Sequence, residues 1–112
     1  MFGWASFGKV KFKDEIYDHD IWVDTEGNAH EREFSDKHIL DAGELKKYLT
    51  DDAETIVVGS GILGCLGISS DALDLIDEKK LELHKYESQQ AVKEYNTIIL
   101  TRKTVAIIHV KE

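Results

Sequence analysis

The sequence lacks the residues that mark disulfide-bonded, zinc-bound and membrane-spanning proteins. Its 112 residues include no proline and a single cysteine, Cys65. We attach no function to the absence of proline. One cysteine excludes an intramolecular disulfide and a tetrahedral thiolate zinc site within the chain, and it fits a reducing compartment. No apolar run approaches the roughly 20 residues that cross a bilayer, and residues 1–7 lack a signal-peptide pattern. We therefore expect a cytoplasmic protein with no membrane partner.

Basic residues are also scarce compared with acidic ones. The 14 lysines and arginines are outnumbered by 22 aspartates and glutamates, which gives a formal net charge of −8. Because phosphate binding draws on clustered basic residues, we expect no nucleic-acid partner. The composition, with 42% hydrophobic and 32% charged residues, is typical of a globular protein. The length suits a single domain over residues 1–112.

Apolar patterns predict a front half of short strands and a rear half in which strands and helices alternate. The charges on the strand predicted over 30–34 indicate a solvated face or an edge. The βαβαβ order of the rear half favours an α/β fold with a largely parallel sheet covered by helices, which the front hairpins extend or pack against. The predicted strands cover 7–12, a short segment at 16–17, 20–24, 30–34, 55–58, 81–86 and 104–110, and predicted helices begin after caps at Asp41, at Ser69 or Ser70, and at Ser88.

Residues 59–64, which we call the glycine corner, follow the buried strand predicted over 55–58 and read Gly-Ser-Gly-Ile-Leu-Gly. This G-x-G-x-x-G spacing occurs in dinucleotide-binding folds, where a pyrophosphate approaches a helix N-terminus. Here residues 65–68 separate the motif from the next helix cap, and the chain beyond Gly64 is too short for a dinucleotide domain. We predict no cofactor. The corner is then a tight crossover loop with glycines at positive φ, or such a loop whose amides bind a small phosphate or carboxylate.

The remaining polar residues each have an ordinary structural interpretation beside a chemical one. His109 interrupts an apolar strand. It is interpreted either as a buried histidine bonded to the main chain or as a site residue. Cys65 has no neighbouring base or cation and is interpreted as a buried thiol, and Ser60 lacks the spacing of a nucleophile elbow. No residue is assigned a catalytic role. We predict no metal site, because the histidines at 19, 30, 38, 84 and 109 form no pair at ligand spacing.

Several short segments occur in an order that resembles one known family. The chain resembles the small single-domain proteins related to the adipogenesis-associated domain protein, a group that includes a mitochondrial NADH dehydrogenase (complex I) assembly factor. The likeness covers nearly the whole chain. The segments that carry it are Phe7-Gly8-Lys9-Val10, Tyr17 with Asp20-Ile21, His38, residues 56–61 with Gly64, residues 91–96, and residues 105–110.

The resemblance implies a three-layer α/β fold with a mixed central sheet whose last strand runs antiparallel to its neighbours. It also implies no established enzymatic activity, and roles in assembly or regulation. Many relatives end in His-Val-Thr-Cys, whereas this chain ends in His-Val-Lys-Glu, so thiol chemistry is not expected there. The candidate site residues, carried over by position, are His38, Gly59, Ser60, Gly61, Gly64, Tyr95, Asn96 and His109.

Two functional hypotheses follow from the sequence. The preferred one is a non-enzymatic binding, assembly or regulatory module with a protein partner. The alternative is a small-molecule site for an anion, a phosphate or a nucleotide at the glycine corner, where Ser60, Asn96 and His109 would line one pocket. An open edge strand or the aromatic N-terminus allows a homodimer, but nothing in the sequence selects it.

Overall fold

The rear half of the chain forms alternating strands and helices, as its apolar pattern predicts. The structure is a computed structural model that describes residues 1–111. Its helices are α1 (Ala42–Tyr48), α2 (Ser70–Glu78) and α3 (Ser88–Ile98). Its strands are β1 (Phe2–Ser6), β2 (Lys9–Phe12), β3 (Glu15–Tyr17), β4 (Ile21–Val23), β5 (Ala29–Glu31), β6 (Ile39–Leu40), β7 (Thr55–Gly59), β8 (Gly67–Ile68), β9 (Glu82–Tyr86) and β10 (Thr104–Ile108).

Two of the three predicted helix caps are confirmed. The Asp41 side chain accepts from the Glu44 amide at the start of α1, and the Ser69 hydroxyl accepts from the Ala72 amide at the start of α2. The prediction for α3 is wrong, because its cap is Glu87 and Ser88 is already the first helical residue. The Ser88 hydroxyl is used elsewhere, in contacts that tie α3 to the glycine corner.

The central sheet has five strands in the order β5-β4-β10-β7-β9 and is mixed. Strands β9, β7 and β10 run parallel because helical crossovers through α2 and α3 return the chain to the same sheet end. Strand β4 arrives from the front hairpin and pairs antiparallel with β10. The expectation that the last strand runs antiparallel to its neighbours is therefore wrong on one side, since β10 is parallel to β7.

Alternating residues of β7 and β10 point to opposite faces of the sheet and build two cores. Ile56 and Val58 pack with residues of α1 and α2, whereas Val57 packs with α3 and the N-terminal strands. The runs are apolar at every position because both faces are covered. The predicted three-layer α/β class is confirmed: α1 and α2 form one layer, the central sheet the second, and α3 with β1–β3 the third.

The front strands adopt both arrangements that the sequence left open: some extend the central sheet and others pack against it. The β4–β5 hairpin extends the central sheet, and β1, β2 and β3 form a separate antiparallel sheet that packs on it. The strand predicted over 7–12 is wrong at its start, because Phe7 and Gly8 form the turn between β1 and β2, with Gly8 at φ +83°. Strand β1 was not predicted, since its Phe-Gly-Trp-Ala-Ser sequence does not alternate cleanly.

Candidate functional site

One end of the central sheet gathers residues from all five strands. Parallel strands β7, β9 and β10 end there, antiparallel β4 begins there, and β5 ends there. The residues that flank the strands at this end are therefore neighbours, although they are far apart in sequence. They are Asp20 before β4, Arg32 after β5, Ser60 after β7, Glu87 after β9 and His109 after β10.

Arg32 is the centre of a buried polar group at this end, which we call the Arg32 cluster (Asp20, Arg32, Glu44, Tyr48 and His109). Its guanidinium donates to Glu44 through Nε at 2.6 Å and through Nη2 at 2.9 Å, and to Asp20 through Nη1 at 2.9 Å. The Tyr48 hydroxyl donates to Glu44 at 2.7 Å, and His109 Nδ1 donates to Asp20 at 2.7 Å. The five side chains form one connected network.

The network holds its members in their charged or hydrogen-bonded forms. Burial opposes ionisation of Asp20, but hydrogen bonds from His109, the Val110 amide and Arg32 outweigh it and keep the pKa of Asp20 below its usual range. Burial also opposes the charge on Arg32, yet Glu44 and Asp20 raise the pKa of its guanidinium. Burial and the adjacent Glu44 raise the pKa of Tyr48. The arrangement stabilises the charges of Asp20 and Arg32 and the neutral hydroxyl of Tyr48.

Arg32 also fixes the segment that follows it. Its guanidinium donates to the main-chain carbonyls of Lys37 at 2.9 Å and Ile39 at 3.2 Å. It lies 4.9 Å from the centroid of the Phe34 ring, in a cation–π contact. The interpretation of residues 30–34 as a solvated strand is wrong beyond Glu31, because the chain leaves the sheet and turns the Arg32 side chain into the interior.

Two of the predicted histidines meet at this end. The rings of His38 and His109 are 5.9 Å apart between centroids and nearly perpendicular. His109 is buried, and its amide donates to the Gly59 carbonyl at 3.0 Å. The His38 carbonyl accepts from the Gly67 amide at 2.8 Å, beside the short parallel pair β6–β8. His38 and His109 therefore lie next to the glycine corner.

The glycine corner packs closely against the start of α3 and is hydrogen-bonded to it. A Cβ on Gly59 would lie 2.8 Å from the Ser88 Oγ and 3.1 Å from its Cα, so only glycine allows this approach. The Ser88 hydroxyl accepts from the Gly61 amide at 2.9 Å and donates to the His109 carbonyl at 2.6 Å. The Ser60 amide donates to the Tyr86 carbonyl at 2.8 Å. The Gly61 amide, which a phosphate would need, is thus donated to Ser88 within the chain.

The backbone of the corner fits the crossover interpretation. Gly61 has φ +101° and Gly64 has φ +74°, values that favour glycine. The Leu66 amide closes the loop by donating to the Ser60 carbonyl at 2.9 Å. Cys65 is exposed in this loop, so its interpretation as a buried thiol is wrong.

Tyr95 and Asn96 do not join the corner. The Asn96 side chain makes two 2.8 Å hydrogen bonds with the main chain of Phe2, which closes the free edge of β1. Tyr95 packs against the rings of Phe2 and Phe12, and burial raises its pKa to about 12. Asn96 lies about 12 Å along α3 from Ser88, so the predicted convergence of Asn96 with Ser60 and His109 is wrong.

Four exposed apolar side chains belong to segments that reach this end of the sheet, and we call them the apolar rim (Phe7, Phe34, Ile39 and Leu63). Their exposed fractions are 66%, 49%, 41% and 72%. Each belongs to a segment tied to this end of the sheet: Gly8, next to Phe7, donates to the Val110 carbonyl at 2.8 Å, and Leu63 lies within the glycine corner. The rim therefore comes from four separate parts of the chain.

The sequence analysis missed most of the Arg32 cluster. The charges on residues 30–34, which include Arg32, were interpreted as a solvated face or an edge, and neither Asp20 nor Glu44 was predicted to be buried. One signal was present: the chain has 12 lysines and two arginines, and arginine is preferred in buried ion pairs. Which of the two arginines is buried, and with which carboxylates, depends on the pairing of β4, β5 and β10.

Neither a metal cluster nor a membrane span is found in the part of the chain that the structure describes. Within residues 1–111, no three His, Cys, Asp or Glu side chains are grouped so that they hold a metal ion. In the same residues, no helix combines the length and apolar character needed to cross a membrane.

Comparisons with known proteins show a shared fold. No protein-family model matches the chain. The conserved hypothetical protein PH1505 from Pyrococcus horikoshii OT3 is 29% identical, with a TM-score of 0.90, over 100% of this chain and 99% of the other. A protein named MT938 is 27% identical, with a TM-score of 0.82, over 100% and 98%. An outer membrane protein from Bartonella henselae is 17% identical, with a TM-score of 0.81, over 99% and 94%, and shows the fold alone.

Proposed function

We propose that the chain is a non-enzymatic binding or assembly module that contacts a protein partner through the apolar rim. The observation that carries this proposal is the rim itself, four exposed apolar side chains on segments that reach the end of the sheet where the buried Arg32 cluster lies. Scattered exposed apolar residues are ordinary, but several around one site mark an interaction surface. A protein surface is the partner that four apolar side chains fit.

The Arg32 cluster supports this proposal by fixing the rim before any partner binds. Arg32 contacts the Phe34 ring and the Ile39 carbonyl directly, and His109 reaches the corner that carries Leu63 through the Gly59 carbonyl. Because a pre-ordered surface loses less conformational entropy on binding, such a scaffold raises affinity. The buried polar groups thus have a role in positioning the rim that requires no reaction.

The alternative, an anion or nucleotide site at the glycine corner, has less support. Two amides of the corner already have partners within the chain: the Gly61 amide donates to the Ser88 hydroxyl, and the Ser60 amide donates to the Tyr86 carbonyl. A ligand would have to break these bonds or use other groups. A thermal-shift screen against nucleotides, phosphorylated metabolites and divalent metals separates the two functions. The protein-binding proposal expects no shift, whereas a ligand at 100 times its Kd stabilises by about 2.7 kcal/mol.

Two further parts of the proposal rest on the sequence. The order of motifs supports membership of the family related to the adipogenesis-associated domain protein, whose members have assembly or regulatory roles. None of the similar structures described above carries that family's name, so the membership stays a prediction. The single cysteine supports a cytoplasmic location.

Photo-crosslinking tests the proposed surface. A photoreactive phenylalanine analogue placed at Phe34 or at Leu63 in living cells should give the same protein adduct from both positions. Leu73 on α2 and Leu100 after α3 are exposed apolar controls outside the rim. Adducts of equal yield from all four positions, or from neither rim position, would contradict the proposal.

A further inference from the structure

The N-terminal sheet has an outward face that differs from the rest of the surface. Residues directly opposite each other in antiparallel strands share a face, and Trp4, Lys11 and Ile16 form one such row across β1, β2 and β3. Lys9 lies on the same face, opposite Ser6. We call these five residues the basic face. Trp4 is 38% exposed and Ile16 is 57% exposed, so the row is both apolar and basic.

The charge of the chain is divided unevenly around this face. Residues 1–13 contain three lysines and no acidic residue, whereas the remainder contains 11 basic and 22 acidic residues. The first part therefore carries +3 and the remainder −11. Within β1, β2 and β3 the one acidic residue is Glu15, which is exposed and pairs with Phe12, one position out of the row formed by Trp4, Lys11 and Ile16. Asp14 and Asp18 lie beyond the two ends of β3.

We propose that the basic face binds the surface of an anionic lipid bilayer. Lysines near such a surface attract its negative charge, and tryptophan is favoured at the membrane–water interface. The acidic remainder of the chain is repelled, so one orientation is selected with β1–β3 toward the lipid. The lysine stem takes part as well: Lys11 lies along β1, with its Cδ 3.1 Å from where a Cβ on Gly3 would be.

The size of the face favours a bilayer over a protein. Three strands about 4.8 Å apart and three to five residues long cover roughly 15 Å by 15 Å, or about 200 Å². A specific protein interface buries about 800 Å² on each partner. A bilayer needs only a few inserted side chains and nearby lysines. A symmetric dimer through this face would place lysines against lysines.

This proposal revises the expectation that the chain has no membrane partner. That expectation rested on the lack of a spanning segment, and a surface contact requires none. The sequence also could not show that Trp4, Lys11 and Ile16 share a face, because β1, which carries Trp4, was not assigned as a strand. The basic face shares no residue with the apolar rim, although Phe7 of the rim lies in the turn between Ser6 and Lys9.

Vesicle co-sedimentation tests the basic face. The wild-type protein is mixed with phosphatidylcholine vesicles and with phosphatidylcholine–phosphatidylserine vesicles at low and high salt. We expect sedimentation with the phosphatidylserine vesicles at low salt and release at high salt. The variant Lys9→Glu/Lys11→Glu should bind at least about thirtyfold more weakly, because each lysine at the surface contributes about a factor of five.

The variant Lys46→Glu/Lys47→Glu is the matched control, since it makes the same charge change at exposed lysines of α1, on the opposite side of the central sheet. It should retain binding much closer to the wild type. A third variant, Trp4→Ser, should weaken binding and abolish the lipid-dependent change in tryptophan fluorescence. Equal loss in both charge variants, wild-type binding to phosphatidylcholine alone, or a wild-type protein that stays in the supernatant would overturn the proposal.

Discussion

The Arg32 cluster and the glycine corner lie at the same end of the sheet but differ in how their sequences relate to their roles. The corner has a recognisable motif, and its glycines serve close packing against Ser88 and a loop with positive φ. The cluster has no motif, yet it contains most of the buried charge at this end. A local pattern thus indicated ligand chemistry where the structure shows packing, and an unmarked set of residues forms the ionic centre.

The difference has a physical cause. A glycine motif records only that the backbone must approach something closely or turn sharply, and a helix meets that condition as well as a phosphate does. A buried arginine can be recognised only when the carboxylates that pair with it are known. Those come from residues 12 positions away on either side, with His109 a further partner of Asp20. The following predictions separate an ionic centre from a packing motif.

Replacing Arg32 should have the largest effect. Arg32→Met leaves Asp20 and Glu44 buried without their cation, which should lower the free energy of unfolding by about 3–5 kcal/mol. Chemical denaturation measures it. The matched control is Arg102→Met, which removes an exposed arginine 3.7 Å from Glu82 and should change stability by less than about 1 kcal/mol. Similar losses of unfolding free energy in both variants would show that Arg32 does not stabilise the fold as the centre of a buried ionic network.

Gly59→Ala should have the next largest effect. Its Cβ would meet the Ser88 Oγ at 2.8 Å and the Ile108 Cδ1 at 3.0 Å, so overpacking should cost about 1–3 kcal/mol. Gly43→Ala in α1 is the control, because its Cβ would have only the Asp41 Oδ1 at 3.5 Å, and alanine favours a helix. Thermal unfolding should show opposite signs for the two variants. A tolerated Gly59→Ala would contradict the packing role.

Acid should destabilise the protein in part through Asp20, with a smaller and gradual effect. The pKa of Asp20 is lowered in the folded state, so the unfolded state takes up a proton first as the pH falls. Stability contributed by Asp20 is complete above the unfolded pKa of about 4 and is lost below it. In Asp20→Asn, the curve of unfolding free energy against pH should be flatter in that range. An unchanged slope would show that Asp20 is not stabilised as the anion.

The fold was more accessible to sequence reasoning than the site. Residues 55–58 and 104–110 are apolar at every position because helices cover both faces, and this pattern indicates buried strands without tertiary knowledge. The β1–β2 turn was missed, since Phe7 and Gly8 continue the alternating pattern of residues 7–12 and were assigned to that strand. Asn96 was assigned to a pocket because position on a helix does not reveal which neighbour, here Phe2, its amide meets.

In the proposed function, the Arg32 cluster holds the apolar rim in the form that binds a protein. The most direct test is the yield of the Phe34 photo-adduct in Arg32→Lys, measured below its unfolding temperature, with Arg102→Lys as the control. Lysine is a single point charge that does not reproduce the fork toward Glu44 and Asp20 or stack as arginine does. We expect a reduced adduct yield in Arg32→Lys and an unchanged yield in Arg102→Lys. An undiminished yield in folded Arg32→Lys would contradict the role of the Arg32 cluster in holding the apolar rim.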